Sequence, residues 1–297
     1  MRSGALQEFV YERPQTIDEA VAAMGAGDAR ALAGGTDLVP QLREGRRQVG
    51  RIVDLKRIPE LTAIVALPDG GFGIGAAATA SAVARHAGLA AAYPAVAQSA
   101  QLIGGVQIQN RGSLGGNICN AAPSADAVPA LVCHAARASI SGRNGRREVT
   151  VESLFRGPGQ TTLESGEILV SILLPPAPPR TAAKYLRFTP RREMDIAIAG
   201  AGAWLRLDAA GAIVDARIVL ASVAPTPIHA PAAERKLIGE RPTRALLEEA
   251  GRLAAGDARP ISDTRGSADY RRSLVAVLTA RALADCCQQL DVETARP

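Results

Sequence analysis

A chain of 297 residues is long enough for two domains, and with 47% apolar residues it can bury a substantial core. Aromatic residues contribute only 3%, so the core is expected to be built from small aliphatic side chains with closely approaching backbone. The net charge of +5 comes from scattered arginines such as Arg43, Arg46, Arg47, Arg143, Arg146, Arg147, Arg191 and Arg192, with no aromatic platform or recognition-helix pattern, which argues against nucleic acid as a partner.

No window of about 18 residues is uniformly apolar, so no membrane span is expected. The opening stretch MRSGALQEFVYERP carries two glutamates and no continuous apolar run, so it does not read as a signal peptide, and a cytoplasmic location is expected. Cys119, Cys133, Cys286 and Cys287 form no C-x-x-C pair and no iron–sulfur ligand set. His86, His134 and His229 show no metal spacing, so structural roles are expected for them and no metal site is read.

In chain order, Phe9 to Arg13 reads as a strand. Thr16 and Glu19 form a capping-box match ahead of a helix with Ile17, Ala20, Val21 and Met24 on one face. Strands are expected at Ala29 to Ala33 and Arg51 to Leu55, which completes a first lobe. Leu61 to Leu67 and Phe72 to Gly75 flank Asp69-Gly70-Gly71, a hairpin signal. Helices are expected at Ser81 to His86, Pro94 to Leu102 and Ala127 to His134. A second hairpin turns at Arg143-Asn144-Gly145, and Glu167 to Leu174 reads as a strand. The prolines from Pro175 to Pro179 form a stiff break. Beyond it, Lys184 to Phe188 begins a new segment. Ile198 to Leu207 and Ile213 to Val223 make an antiparallel pair, followed by helices at Pro231 to Ile238, Thr243 to Ala254 and Ser267 to Leu290. The last helix is expected to pack through Leu274, Val277, Leu278 and Ala282, with its arginines elsewhere.

Two glycine-rich stretches interrupt this pattern. LAGGTDLVP, Leu32 to Pro40, lies between a strand and a short helix. QIQNRGSLGGNICNAAPSAD, Gln107 to Asp126, reads as a long loop that exposes its own backbone N–H groups. Clusters of backbone N–H suit a phosphate or diphosphate. Neither stretch is G-x-x-x-x-G-K-[ST] or a G-x-G-x-x-G opening a βαβ unit, so neither a P-loop nor a Rossmann domain is indicated. Two such loops can enclose one large phosphate-bearing ligand.

AGGTDL, NRGSLGGNICNAAPSAD, EILVSILLP, PRREMDIAIAGAGAWL and GSADYRRSLVAVLTARAL follow one another in this order. Together they resemble the FAD-binding medium subunit of the molybdenum hydroxylases, the family of xanthine dehydrogenase and carbon monoxide dehydrogenase, over nearly the whole chain. The fold this implies is α+β. A two-lobed FAD-binding domain of the PCMH/VAO type would occupy residues 1–176, with lobes at about 1–57 and 58–176. A C-terminal α+β domain like that of the CO dehydrogenase flavoprotein would occupy residues 180–292.

The same resemblance implies the site. Leu32, Ala33, Gly34, Gly35, Thr36, Asp37 and Leu38 correspond to a diphosphate cradle, where capping the next helix is the favoured role for Asp37. Ser113, Gly115, Gly116 and Asn117 match contacts to the phosphate and ribityl region, and Asn120 a further polar contact. Asp126 matches a residue that hydrogen-bonds the cofactor, with a plain helix N-cap as its alternative. Ile103 and Leu169 correspond to apolar walls of the isoalloxazine ring. Arg187 stands where xanthine dehydrogenase has a lysine near the flavin, so the charge is kept on a larger, planar group.

FAD is expected to be non-covalent, and no catalytic triad or general-base dyad is expected in this chain. The resemblance further implies two partners, an iron–sulfur small subunit and a molybdopterin large subunit, in a heterotrimer or a dimer of heterotrimers. Electrons would reach FAD through the partner's clusters and leave to an external acceptor. The cysteine pattern shows no extra cluster-bearing loop of the kind found in the 4-hydroxybenzoyl-CoA reductase branch. A free-standing FAD enzyme of the same fold is the alternative reading.

Overall fold

The structure, a computed structural model, describes residues 7–292. Its first lobe is a three-stranded parallel sheet of β1 (Val10–Glu12), β2 (Ala29–Leu32) and β3 (Arg51–Asp54), in the order β1-β3-β2. Helix α1 (Ile17–Met24) starts where the capping box places it, with the Thr16 hydroxyl accepting from the Glu19 N–H. Both faces of the sheet are covered. Val53 and Ala29 join the main core with Ile17, Ala20 and Ala23 of α1, whereas Ile52 and Leu32 turn to a small cluster with Leu42 of α2 (Leu38–Arg43). Alternation along a strand requires this split.

The second lobe is a five-stranded antiparallel sheet with β10 (Ile168–Leu174) at its centre. Around β10 lie β4 (Ile64–Ala66), β5 (Phe72–Gly75), β6 (Arg137–Gly142) and β7 (Gly145–Thr150), in the order β4-β5-β10-β6-β7. Both expected hairpins form. Leu61, read as strand, instead lies in a short helix, α3 (Pro59–Thr62), because Pro59 at its first position and the Thr62 hydroxyl on the Pro59 carbonyl favour a helical turn. The lobe's helices are α4 (Ala80–Arg85), α5 (Ala87–Ala92), α6 (Pro94–Gln101), α7 (Val106–Gln109), α8 (Leu114–Asn120) and α9 (Ala127–Cys133). The stretch read as one long loop thus contains α7 and α8. Ser113 caps α8 by accepting from the Gly116 N–H at 3.0 Å. A small two-stranded pair, β8 (Phe155–Gly157) and β9 (Gln160–Thr161), leads back to β10.

After Pro175–Pro179 the chain forms an antiparallel sheet, β11 (Thr181–Phe188), β12 (Ala199–Leu207), β13 (Ile213–Ala221) and β14 (Ile228–His229), in sequential order. Helices α10 (Pro231–Leu237), α11 (Arg244–Asp257) and α12 (Ala268–Gln289) cover one face of it. In β12, Ala199, Ala201, Ala203 and Leu205 point to these helices, while Trp204 joins the core of the second lobe. Gly202 lets α9 approach, since a Cβ there would sit 3.1 Å from Pro129 Cβ and Cys133 Sγ. The face of α12 differs from expectation. Val277 is exposed, whereas Arg271 is buried, bonded to Asp263 at 2.7 Å and to the Ile198 carbonyl at 2.8 Å. A buried arginine is tolerable here because its charge is paired and both terminal nitrogens have acceptors, although Nε has none among the described residues.

The three histidines occupy structural places. His86 caps α5 through Nδ1, His134 is buried edge-on against Tyr93, and His229 bridges Glu152 and Glu234. Burial lowers the His134 pKa to about 4, so it is neutral at physiological pH. No helix among the described residues is long and apolar enough to cross a membrane.

Candidate functional site

A cleft of about 540 Å³ opens between the two glycine stretches. On one side lies the segment that leaves the carboxyl end of β2 and enters α2. On the other lie Gly112, Ser113 and the first turns of α8. Gly34 is the point where the two meet, since any Cβ there would collide with the Arg111 carbonyl and Gly112 Cα. Gly35 follows at φ +75°, a left-handed turn that a Cβ would strain. The chain therefore bends sharply enough to turn several N–H groups away from the sheet. Those of Gly34, Gly35, Thr36 and Asp37 have no acceptor among the described residues. Such a run of open donors has the chemistry of an anion cradle.

The opposite wall is held differently. Gly115 lies against Ala76 so closely that a side chain would overlap the Ala76 carbonyl. The Ser113 hydroxyl is engaged in its cap, and Asn117 Oδ1 accepts from the Ala127 N–H at 3.3 Å, tying α8 to the start of α9. Asn120 Oδ1 faces Gln41 Nε2 across the cleft at 3.5 Å, the limit of a hydrogen bond. A β-bulge between Leu169 and Ser171 interrupts the pairing of β10 with β6, the Val170 carbonyl accepts from the Ala76 N–H on the β5 side, and Leu169 lines the cleft beside Ile168. Bulges of this kind re-aim side chains next to sites. Ile103, at the end of α6, lines the cleft as well.

The residues expected from the two glycine stretches, Asp126 excepted, thus come together with Ile103 and Leu169 on one cleft. Asp37 does not cap α2: its side chain makes no cap bond, and the carboxyl lines the cleft, where burial raises its pKa. Asp126 and Arg187 are not among the lining residues. They form an ion pair with each other at the start of α9, with Tyr185 donating to Asp126 at 3.2 Å. Asp126 is not a side-chain cap either, because its carboxylate is committed to this pair. Burial pushes the Asp126 pKa up to about 6, with the Arg187 charge and the Tyr185 and Arg187 bonds pulling against it.

Sequence reasoning missed part of the wall. Thr161 ends β9; Leu163, Glu164 and Glu167 come from the segment between β9 and β10, and Arg30 and Arg47 from the first lobe. The Ser165-Gly166 turn signal was present in the sequence, but only the tertiary fold shows that it borders the cleft. Glu167 is held below its ordinary pKa by a two-point bond from Arg147 at 2.7 Å, so it is an ionised, fixed wall.

Comparison with known proteins agrees with this geometry. Residues 7–177 match the family described as the FAD binding domain in molybdopterin dehydrogenase, and residues 184–286 the CO dehydrogenase flavoprotein C-terminal domain. The xanthine dehydrogenase FAD-binding subunit of Escherichia coli O157:H7 is 32% identical over 93% of this chain and 94% of its own length. The carbon monoxide dehydrogenase medium chain of Afipia carboxidovorans is 34% identical over 93% of this chain and 95% of its own. Among solved structures, carbon monoxide dehydrogenase from Hydrogenophaga pseudoflava superimposes with a TM-score of 0.91 at 32% identity, covering 96% of this chain and 99% of that one. Quinoline 2-oxidoreductase from Pseudomonas putida 86 gives 0.90 at 28% identity. Fold and site together define a two-domain flavoprotein. The chain belongs to the family of FAD-binding medium subunits of the molybdenum hydroxylases.

Proposed function

We propose that this chain carries non-covalent FAD in a molybdenum-containing hydroxylase or dehydrogenase. In that role it accepts electrons from the iron–sulfur clusters of a small partner subunit and passes them to an external acceptor. A large molybdopterin subunit completes the complex. The observation that carries this reading is the run of open backbone donors at Gly34–Asp37, facing the capped start of α8 across one cleft, in a chain whose relatives match it nearly end to end. The four free thiols suit a reducing compartment, and the same reading places the protein in the cytoplasm.

Bound in this cleft, FAD supplies the redox chemistry, and the protein sets its position and potential. The N–H groups of Gly34 to Asp37 would hold the diphosphate, with the polar side chains of Thr36 and Asn120 beside them. Ile103 and Leu169 would present apolar walls to the flat ring and keep water from it. Asp37 lines the same cleft, on the side of the Gly34–Asp37 donors. Asp126 and Arg187 act from outside the lining, by fixing the start of α9, which Asn117 ties to α8.

The test is the absorption spectrum of the purified chain before and after acid precipitation. A flavin spectrum with FAD released into the supernatant supports the proposal. Colour retained in the pellet replaces non-covalent binding with a covalent link, and Cys119, exposed and on the cleft wall, would be its site. A chain that takes up no flavin even from excess FAD refutes the cofactor assignment.

A further inference from the structure

The first glycine loop is braced from behind by a charged relay. Leu32, the last residue of β2, pairs with Asp54, the last residue of β3, so the loop and Asp54 leave the parallel sheet side by side. Asp54 is buried at 5% exposure. It accepts from the Tyr11 hydroxyl at 2.5 Å, from the Lys56 N–H at 3.1 Å and from Lys56 Nζ at 2.6 Å. Burial by itself would raise the Asp54 pKa; the bonds from Lys56 and Tyr11 outweigh it and hold the group below its ordinary value, ionised at neutral pH. The same Lys56 ammonium donates to the Ala33 carbonyl at 2.9 Å.

A trans peptide points its carbonyl and its N–H to opposite sides. With the Ala33 carbonyl drawn to Lys56, the N–H of Gly34 is turned the other way. Ala33 and Gly34 line the cleft and Lys56 does not, so the ammonium stands behind the loop. Resting on the FAD assignment above, we infer that Lys56 is a positioning residue for the cofactor diphosphate: it locks the Ala33–Gly34 peptide with its N–H toward the cleft and places a positive charge behind the donors. Tyr11 and Asp54 fix Lys56 in turn. Without this bond the peptide can rotate and present its carbonyl oxygen to an anion.

The experiment is FAD binding to the apoprotein, followed by flavin fluorescence, together with 31P NMR of the bound diphosphate. Lys56→Met keeps the length of the stem and removes the charge. It is expected to weaken FAD binding about 10- to 100-fold, in line with loss of a charged hydrogen bond, and to shift the 31P resonances. Lys56→Arg keeps charge and reach and is expected to restore most of the affinity. Should Lys56→Met fail to fold because Asp54 is left buried and unpaired, the double variant Lys56→Met/Asp54→Asn removes that charge and is read in its place. FAD binding by the variant within about twofold of the parent overturns the inference. So does weak binding by both the Met and Arg variants with unchanged 31P shifts, which marks a general loss of structure. A parent chain that binds no FAD refutes the cofactor assignment itself, an outcome distinct from either.

Discussion

The stretch from Ser113 to Asp126 serves two regions of opposite character. Its first half walls the cleft, where the facing backbone donors are open and Asn120 stands at the margin of bonding distance from Gln41. Its second half enters the seam against the C-terminal sheet, where most polar groups are closed on one another, the Ser222 hydroxyl excepted. There the Ser222 N–H donates to the Pro123 carbonyl at 2.8 Å, Arg187 and Tyr185 bind Asp126, and Arg217 donates to the Cys133 carbonyl at 2.8 Å while stacking on Trp204. Buried polar groups are costly unless satisfied, so a closed network marks structure and an open set of donors marks a place for a ligand. The comparison separates residues that a sequence motif places together. It predicts that seam substitutions act on stability and cleft substitutions on affinity.

The largest effect is expected at the seam. Arg187→Met leaves Asp126 buried with only Tyr185 as a partner and should cost about 3–5 kcal/mol of folding free energy, measured by urea unfolding. The effect should grow with pH. The Asp126 pKa of about 6 in the folded chain lies above its ordinary 3.8, so the folded state binds this proton more tightly than the unfolded one. Its contribution to stability therefore falls as pH rises from about 4 to 6. Removing Arg187 raises the folded pKa further and extends that fall to higher pH. Equal losses at pH 5 and pH 8 would show that Asp126 is not the group left behind.

Gly34→Ala should lie between the two classes, because Gly34 is both packing and cradle. The added methyl meets the Arg111 carbonyl, so the loops must part, at about 1–3 kcal/mol. Titration of the variant with FAD should show a loss of affinity larger than the loss of stability alone explains. If thermal stability falls and FAD binds as before, the open donors are not the binding element.

A smaller seam effect is expected from His229, whose ring joins Glu234 at 2.8 Å and Glu152, across the seam, at 3.0 Å. The bond to Glu234, against partial desolvation, raises its pKa above 6.5. A raised histidine contributes stability that is fully present below the unfolded pKa and is lost as pH rises through the folded one. With the side chain 34% exposed, solvent screening limits the contribution to about 1 kcal/mol or less. His229→Gln should abolish this slope above pH 6.5 and leave FAD affinity unchanged.

How much of this was legible in the sequence follows the range of the interactions. Local signals carried through: the Thr16 capping box, the Asp69-Gly70-Gly71 and Arg143-Asn144-Gly145 hairpins, and the two apolar runs either side of Gly211 that pair as β12 and β13. Two short helices inside the glycine-rich stretch were missed, because α7 and α8, of four and seven residues, are too brief for periodicity to register. The motifs gathered most of the cleft, but they could not show that Asp126 faces Arg187, 61 positions away, or that Lys56 reaches back 23 positions to Ala33. Such pairings depend on strand register and on which face of β11 meets α9. Arg271 on α12 is a further case: its charge suggested solvent, and only the fold supplies Asp263 and the Ile198 carbonyl as partners.

The smallest stability effect, and the sharpest test of the comparison, is expected at Asn120. Its one side-chain partner, Gln41, is at 3.5 Å, too far to contribute much to folding. Asn120→Ala should therefore change unfolding free energy by no more than about 0.5 kcal/mol. The same amide faces the cleft, and loss of one hydrogen bond to a bound cofactor would weaken FAD binding about 3- to 10-fold. A stability loss as large as that of a seam residue would place Asn120 among the closed structural groups instead. Unchanged affinity and unchanged stability together would confine the binding elements of this wall to its backbone, as on the facing loop.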